Sequence, residues 1–177
     1  MTRLILWLVT GILLALGVHV ATLFAVPYFA GQSPSGGHRA LAPNNVFAIA
    51  PSETIPFADP ALRTALCHFD LSEGPVRIRA QATDGFTSVA VFNKQGLNTY
   101  ALNDRAAASG LIELTLYTPA QLADVRSREG PDTPQTLRIA AMDTKGIVAI
   151  RALVPTESEE GVVLDALSRA TCSLAPR

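Results

Sequence analysis

An uninterrupted apolar stretch near the N-terminus constrains this chain more than any other feature of its sequence. From Leu4 to Ala30 the chain contains no Lys, Arg, Asp or Glu. A helix needs about 20 apolar residues to cross the roughly 30 Å of hydrocarbon in a membrane. The stretch therefore predicts one transmembrane anchor, which we assign to residues 1–30.

A cleaved signal peptide is the alternative interpretation, with Met1–Arg3 as its short charged region. The apolar cores of signal peptides are only about 7–15 residues long, and small residues precede their cleavage sites. Cleavage after Ala30 would put Tyr28 at a position that needs a small residue, and cleavage after Ala25 would put Leu23 there. These features favour an anchor that is not cleaved.

The basic residues around the anchor indicate its orientation. Arg3 precedes the helix, and the next Lys or Arg along the chain is Arg39. Positively charged flanks favour the cytoplasmic side of a membrane. We therefore expect a single-pass protein of the inner (cytoplasmic) membrane of a bacterium, with its C-terminal domain in the periplasm.

Small residues form a row along the predicted helix. Gly17, Ala21 and Ala25 are four residues apart, a spacing that lets a second helix approach closely. His19 and Thr22 lie nearby, and polar side chains can hydrogen-bond across such a contact. These five residues predict a helix–helix contact in the bilayer, although alanine and glycine are also common in membrane helices that make none.

After the anchor, the sequence changes first to a tether and then to a strand-rich domain. Residues 31–56 begin with a segment rich in Gly, Pro, Ser and Asn, which predicts a flexible tether. Within residues 57–177, apolar and polar residues alternate as they do in half-buried strands. Turn signals at Asp84-Gly85, Lys94-Gln95-Gly96 and Thr144-Lys145-Gly146 predict hairpins between these strands.

Two capping motifs predict the helices of this domain. Thr118 and Gln121 form a Thr-x-x-Gln box, and Pro119 suits the first helical position. Thr156 and Glu159 form a second box, followed by an apolar face of Val163, Leu164, Leu167 and Ala170. The predicted fold class is therefore mainly β (α+β), an antiparallel domain with two short helices.

Cys67 and Cys172 lie near the two ends of the domain. In an extracytoplasmic domain, two cysteines favour one disulfide. It would tie the last helix to the first strand and contribute about 4–5 kcal/mol in the chain-entropy model. Two buried thiols are the alternative. We expect no metal site, because His68 does not complete a four-ligand set with these cysteines.

The sequence contains few groups that suggest chemistry. It has no G-x-S-x-G, H-E-x-x-H or C-x-x-C motif and no glycine-rich phosphate loop, and we expect no cofactor. The net charge is −1 without a basic cluster, so no nucleic-acid partner is expected. His68 and Asp70 share a predicted strand face without an evident nucleophile. Arg77 and Arg79 share another face and could bind a carboxylate or phosphate, or simply face solvent.

The most distinctive stretch is Gly96–Arg105, GLNTYALNDR. With CHFDLSEGPVRIRA upstream and LYTPAQLADVR downstream, the chain resembles the short membrane-anchored branch of the Domain of Unknown Function 1254 family of alphaproteobacteria. His19 and Pro27 of the helix, the D-L-S-x-G-P-V segment after Cys67, and the later Cys172 also match. The pattern G-x-N-x-Y-x-x-N-D-R is met by Gly96, Asn98, Tyr100, Asn103, Asp104 and Arg105.

The chain departs from this family where aromatic residues are expected. It has Phe86-Thr87 in place of a Tyr-Trp or Tyr-Tyr pair, and Thr99 in place of a second aromatic, so an aromatic-lined pocket would be weakened. The resemblance implies a β-sandwich-like fold and an envelope location but no activity. Longer relatives continue into a domain of the Domain of Unknown Function 1214 family. A separately encoded membrane protein of that family is therefore an expected partner, besides the lipid bilayer itself.

Three functions remain open at this point. The leading hypothesis is a structural or interaction protein of the cell envelope that pairs with another membrane protein and is not an enzyme. A periplasmic small-ligand-binding module is the second, with Asn98, Tyr100, Asn103, Asp104, Arg105, Arg77 and Arg79 as candidate binding residues. A hydrolase using His68 and Asp70 is the third. We expect Asn103, Asp104 and Arg105 mainly to hold a turn, because Asn and Asp satisfy local backbone groups.

Overall fold

The structure, a computed structural model, describes residues 2–30, 43–45, 48–50, 58–107, 110–128 and 136–176. The chain divides into two units, residues 1–36 and residues 37–177. The first unit contains helix α1 (Thr2–Ala30). Its stretch Thr2–Val26 is long and apolar enough to cross a membrane. The length and composition of α1 thus agree with a single membrane anchor.

Two threonine hydroxyls within α1 are satisfied by the helix itself. The hydroxyls of Thr10 and Thr22 donate hydrogen bonds to the carbonyl oxygens of Leu6 and His19, each at 2.8 Å. In hydrocarbon, an unsatisfied hydroxyl would be costly because no water can replace the missing partner. Local bonding of this kind makes both threonines compatible with a lipid environment.

The second unit is built mainly from strands. Its described residues form nine strands: β1 (Ala48–Ala50), β2 (Leu62–Asp70), β3 (Val76–Gln81), β4 (Thr87–Asn93), β5 (Asn98–Asn103), β6 (Leu111–Tyr117), β7 (Leu137–Ala140), β8 (Lys145–Leu153) and β9 (Thr171–Leu174). Two helices accompany them, α2 (Pro119–Arg128) and α3 (Glu160–Ser168). Short 3-10 turns occur at Asp104–Ala106 and Glu157–Glu159.

The strands form two sheets. One has five strands in the order β1-β2-β8-β4-β5, and all its neighbours are antiparallel. The other has four strands in the order β7-β6-β3-β9, in which only β6 and β7 are parallel. The predicted fold class, a mainly β, sandwich-like α+β domain, is confirmed.

The core lies between the two sheets. Alternate residues of each strand point into it, which is why the sequence alternates in polarity. In β3, Val76, Ile78 and Ala80 are buried, whereas Arg77 and Arg79 point outward. The five-stranded sheet contributes Val89, Val91, Val148 and Ile150, and the four-stranded sheet contributes Ile78, Ile112, Leu114 and Leu116.

Two of the three predicted hairpins are wrong. β3 and β4, which flank Asp84-Gly85, belong to different sheets, and so do β7 and β8, which flank Thr144. The Ala141 N–H donates to the Tyr117 carbonyl at 2.8 Å, so the chain still follows β6 there before it crosses to the other sheet. The hairpin around Lys94-Gln95-Gly96 is confirmed, because β4 and β5 pair.

The two predicted capping boxes have different outcomes. At α2, the Gln121 N–H donates to the Thr118 hydroxyl at 3.2 Å and the Thr118 N–H donates to the Gln121 side chain at 2.8 Å, which confirms the box. At the second, Thr156 donates its hydroxyl to the Glu159 carboxylate at 2.8 Å and caps no backbone N–H. That box is therefore wrong, and α3 begins at Glu160 after a 3-10 turn.

A disulfide joins Cys67 to Cys172, with 6.5 Å between their Cα atoms. Both residues are buried. Cys67 lies on β2 of the five-stranded sheet, and Cys172 lies on β9 of the other. The predicted bond is present, but its predicted role is corrected, because it ties sheet to sheet and not the last helix to a strand. The sequence analysis missed β9, which has only four residues.

Part of the predicted tether is folded. Ala48–Ala50 forms β1 and pairs with β2. The Asn44 side chain accepts from the Asp70 N–H at 2.8 Å and donates to the Asp70 carbonyl. The tether assignment is therefore corrected for residues 43–45 and 48–50; residues 31–42, 46–47 and 51–56 lie outside the described residues.

Candidate functional site

The motif Gly96–Arg105 forms β5 with the turns before and after it, at a free edge of the five-stranded sheet. β5 is the last strand in the sheet order and pairs only with β4 among the described strands. Its six residues, NTYALN, include no charged residue and no proline. An edge of this kind leaves backbone N–H and C=O groups available to another strand.

The turn before β5 is shaped by Asn93. Its side-chain oxygen accepts hydrogen bonds from the N–H groups of Gln95 and Leu97, at 3.1 and 2.9 Å. Gly96 has φ of +82°, a left-handed conformation that glycine adopts without steric cost. The side chain of Leu97 is left exposed at this turn.

A bulge lies near the start of β5. Val91 pairs with Tyr100 and Phe92 with Asn98, so Thr99 is the extra residue. The Thr99 hydroxyl donates to the Val91 carbonyl at 3.1 Å. Bulges re-aim side chains and increase local twist. Beyond it, Tyr100 and Leu102 pack against the core between the sheets, so Tyr100 serves the fold more than an open binding surface.

The residues after β5 form a 3-10 turn, Asp104–Ala106. The Asn103 side chain caps it by accepting from the Arg105 N–H at 3.2 Å, and the Ala107 N–H donates to the Asp104 carbonyl at 2.9 Å. Neither Asp104 nor Arg105 makes an ion pair within the described part of the chain. Asn103 thus holds the turn, as the sequence suggested, and Arg105 is exposed.

Arg77 and Arg79 lie elsewhere, on the outer face of the four-stranded sheet. Both contact Glu113 of β6, Arg77 at 3.5 Å and Arg79 at 3.1 Å from Nε to a carboxylate oxygen. The candidate binding residues therefore do not form one group, since β5 belongs to the other sheet. Glu113 could have been found from the outward positions of LIELTLY, but its register opposite Arg79 required the fold.

An open groove of about 320 Å³ runs beside Arg79 on this outer face. The residues that line it are Arg79, Ala80, Gln81, Leu111, Arg169 and Thr171. Arg169, which the sequence analysis did not single out, is already paired with Asp165 at 2.5 Å. The groove is shallow, and most small-molecule sites enclose the greater part of their ligand.

His68 and Asp70 lie on the outer face of β2, but Asp70 is committed to other partners. Its carboxylate accepts from the Lys145 ammonium at 2.8 Å and from the hydroxyl and N–H of Ser72. The Lys145 hydrogen bond, followed by those of Ser72, lowers the pKa of Asp70 to about 2. The same contact raises the pKa of Lys145. This pair fixes the end of β2 to the start of β8.

No group of three or more His, Cys, Asp or Glu side chains within the described ranges is arranged to hold a metal ion. In α1, Gly17, Ala21 and Ala25 lie on one helix face, because four residues advance an α-helix by slightly more than one turn. A Cβ added at Gly17 would meet no atom within 4 Å. His19 and Thr22 are exposed on the same helix.

Comparisons with known proteins bear on the fold alone. The VPA0106 protein from Vibrio parahaemolyticus matches with a TM-score of 0.58 at 9% identity, over 84% of this chain and 34% of that one. A putative uncharacterized protein from Burkholderia cenocepacia matches with a TM-score of 0.51 at 14% identity, over 84% of this chain and 39% of that one. No protein-family model and no curated protein matches.

These two solved proteins are much longer than the part they share with this chain. The chain spans little more than a third of the length of each of them. At such low identities the likeness shows a common fold and carries no activity. It does show that this fold occurs as one portion of larger polypeptides.

Proposed function

We propose that this protein is a membrane-anchored component of the bacterial cell envelope whose domain pairs with another membrane protein. The observation that supports this most is the free edge at β5. Within the part of the chain that the structure describes, the other outer strands, β1, β7 and β9, have three or four residues, whereas β5 has six. Natural proteins usually blunt long edges with charge, proline, a bulge or a cover. β5 carries neither charge nor proline, and its bulge at Thr99 lies near one end, which leaves Tyr100–Asn103 in regular pairing with β4.

A partner strand could extend the five-stranded sheet by pairing with β5. Such strand addition gains affinity from backbone hydrogen bonds, and alternate side chains add specificity. Asn98, Ala101 and Asn103 would lie beside the added strand on the outer face of the sheet, because they pair with the outward residues of β4. An interaction role needs no enclosed pocket, in keeping with the open groove at Arg79.

The partner is proposed to resemble the second domain of the longer relatives, the Domain of Unknown Function 1214 family. Supporting this, the two solved proteins that share the fold devote more than half of their length to other parts. Two proteins tethered to one membrane have a high effective concentration, so even a weak interface would be occupied. The row Gly17, Ala21 and Ala25 would supply a second contact within the bilayer.

The domain is proposed to lie in the periplasm. The buried Cys67–Cys172 disulfide supports an oxidising compartment, and Arg3 before α1 supports a cytoplasmic N-terminus. Alkaline phosphatase fused after Arg177 should be active, since it needs an oxidising compartment. An inactive fusion of a stably expressed protein would reverse the topology.

Purification of the native protein in gentle detergent, followed by mass spectrometry, tests the pairing. We expect the wild type to recover a membrane protein of the stated kind and Ala101→Lys to lose it, because a lysine on β5 disfavours strand addition. Ser173→Lys is the matched control, since Ser173 is also exposed and lies on the edge strand β9. Both variants should keep the wild-type melting temperature.

Equal recovery with Ala101→Lys and Ser173→Lys would exclude β5 as the docking edge. Failure to recover any such membrane protein, from a strain that encodes one, would overturn the proposed pairing. Within the bilayer, Ala21→Leu should weaken the complex by blocking close helix approach. Ala15→Leu, about 120° away around the helix, should not.

A further inference from the structure

Several loops meet at one end of the domain, which we call the loop tip (residues 43–45, 70–75, 94–97 and 141–145). Lys94 Nζ lies 3.6 Å from Asp143 Oδ1 and joins two of these loops. The Leu71 N–H donates to the Thr144 carbonyl at 2.8 Å and joins a third. Asn44 is bonded to the backbone of Asp70, as described above. The loop tip is therefore a connected surface.

Two large apolar side chains project from the loop tip. Leu97 is 65% exposed and Met142 is 81% exposed. Their loops lie side by side through the Lys94–Asp143 contact. Scattered exposed apolar residues are ordinary on protein surfaces. Two such side chains on adjoining loops form a small apolar surface that could insert into a neighbouring apolar phase.

Residues 43–45, the first described residues of the second unit, lie at this same end. α1 ends at Ala30, and only twelve residues, 31–42, separate it from the loop-tip segment 43–45. The Asn44 N–H donates to the His68 carbonyl at 3.0 Å, which fixes this segment beside the end of β2. With α1 in a bilayer, as proposed above, this short connection keeps the lipid surface within reach of the loop tip.

The charges of the loop tip do not favour attraction to anionic lipid. Its segments carry Lys94 and Lys145 against three carboxylates, those of Asp70, Glu73 and Asp143. Both lysines are paired with aspartates, yet their side chains remain largely exposed and can extend toward headgroup phosphates. Contact with a membrane would therefore depend on the apolar side chains.

We propose that the loop tip docks on the lipid surface, with Leu97 and Met142 entering the headgroup region. This inference rests on the proposed anchoring of α1. Amphipathic surfaces bind such interfaces by burying apolar side chains just below the headgroups. Docking would hold the loop tip of the domain against the bilayer. Because the loop tip lies at the ends of the strands, the β5 edge would face sideways and stay open to a partner.

Fluorescence quenching by lipids that carry bromine on their acyl chains tests the docking. The full chain is reconstituted in zwitterionic vesicles. Trp7 is its single tryptophan and reports whether α1 is inserted. In a Trp7→Phe background, Leu97→Trp reports on the loop tip. Val162→Trp is the matched control, because Val162 is 67% exposed but lies on α3, which Glu160 ties to Arg63 at the opposite end of β2.

We expect Leu97→Trp to be quenched at least about twofold more than Val162→Trp, with little change when anionic lipid is added. Adding Met142→Asp should reduce the quenching of Leu97→Trp, while the intact disulfide and the circular dichroism spectrum report that the domain stays folded. Quenching of Leu97→Trp that occurs only with anionic lipid would overturn insertion of the apolar side chains.

Two further outcomes separate this inference from the proposed anchoring. If Trp7 is quenched but Leu97→Trp is quenched no more than Val162→Trp, the docking is wrong and the anchor stands. That result would also be obtained if a protein, and not lipid, covers the loop tip. If Trp7 itself is not quenched, the anchor is wrong, and the docking that depends on it fails too.

Discussion

At the scale of single residues, Gly146 is the described glycine with the least space for a side chain. It lies on β8 opposite Phe69 of β2 and Asn93 of β4. A Cβ added there would overlap the Phe92 carbonyl oxygen and lie 2.6 Å from the Phe69 ring. The first of these is backbone, which cannot move aside as a flexible side chain could.

Gly146→Ala should therefore lower the free energy of unfolding by roughly 1–3 kcal/mol or more, the range found for overpacked sites. Gly161→Ala is the control, because a Cβ at Gly161 on α3 would meet nothing within 4 Å. Alanine in a helix gains up to about 1 kcal/mol over glycine. Urea unfolding measures both, and equal midpoints for the two variants would contradict the predicted clash.

Asp70 should give the domain a specific acid response. Because its hydrogen bonds with Lys145 and Ser72 lower its pKa to about 2, its contribution to stability is complete above its usual pKa of about 3.9. The contribution is lost as the pH falls toward about 2. Since the pKa of Lys145 is raised, the contribution of the lysine to stability is lost only as the pH rises above the usual pKa of lysine.

Asp70→Asn should accordingly flatten the dependence of melting temperature on pH between about 4 and 2. The exposed Asp124 of α2, paired with Arg128 at 2.8 Å, provides the control variant Asp124→Asn. An acid slope that is the same in Asp70→Asn as in the wild type would show that the Lys145 contact does not stabilise the fold.

At the scale of elements, the two capping motifs provide a matched pair. Thr118 accepts a backbone hydrogen bond at the start of α2, whereas Thr156 accepts none at the start of the 3-10 turn that precedes α3. Thr118→Ala should cost about 1 kcal/mol of stability, the usual loss for an N-cap. Thr156→Ala should cost clearly less in the same chemical denaturation. The reverse order would contradict the assignment of the caps.

The strands and turns of the domain were predictable from the sequence only in part. Alternation in the sequence predicts the inward residues of β3 and of the end of β2, because the pleat is a local property. The signals at Asp84-Gly85 and Thr144 lie at bends between strands, but a bend does not state which sheet the next strand joins. That choice depends on packing between distant strands, such as β8 between β2 and β4.

The candidate site was predictable to a similar extent. Asn103 was expected to hold a turn and does so. The position of β5 at a sheet edge was not predictable, since it follows from the order of strands remote in sequence. The separation of Arg77 and Arg79 from β5 has the same cause, because neighbours in a sequence motif can enter different sheets.

At the scale of the whole molecule, the Cys67–Cys172 disulfide fastens one sheet to the other. These cysteines are 105 positions apart in the sequence. For a loop of that length the chain-entropy model gives about 4–5 kcal/mol, although measured values are often smaller. The double variant Cys67→Ala, Cys172→Ala should unfold at a lower urea concentration than the wild type. Wild-type protein whose disulfide has been reduced is the second test sample. If neither sample has a lower urea midpoint than the oxidised wild type, the disulfide does not stabilise the fold.

The long separation of the two cysteines also has a consequence in time. Ribosomes add about 5–20 residues per second, so the thiol of Cys67 must wait roughly 5–20 s before its partner has even been synthesised. All five strands of the five-stranded sheet are synthesised before Cys172, since β8, the last of them in sequence, ends at Leu153. The bond can therefore close only after those strands have been synthesised, and until then the Cys67 thiol can exchange with other disulfides.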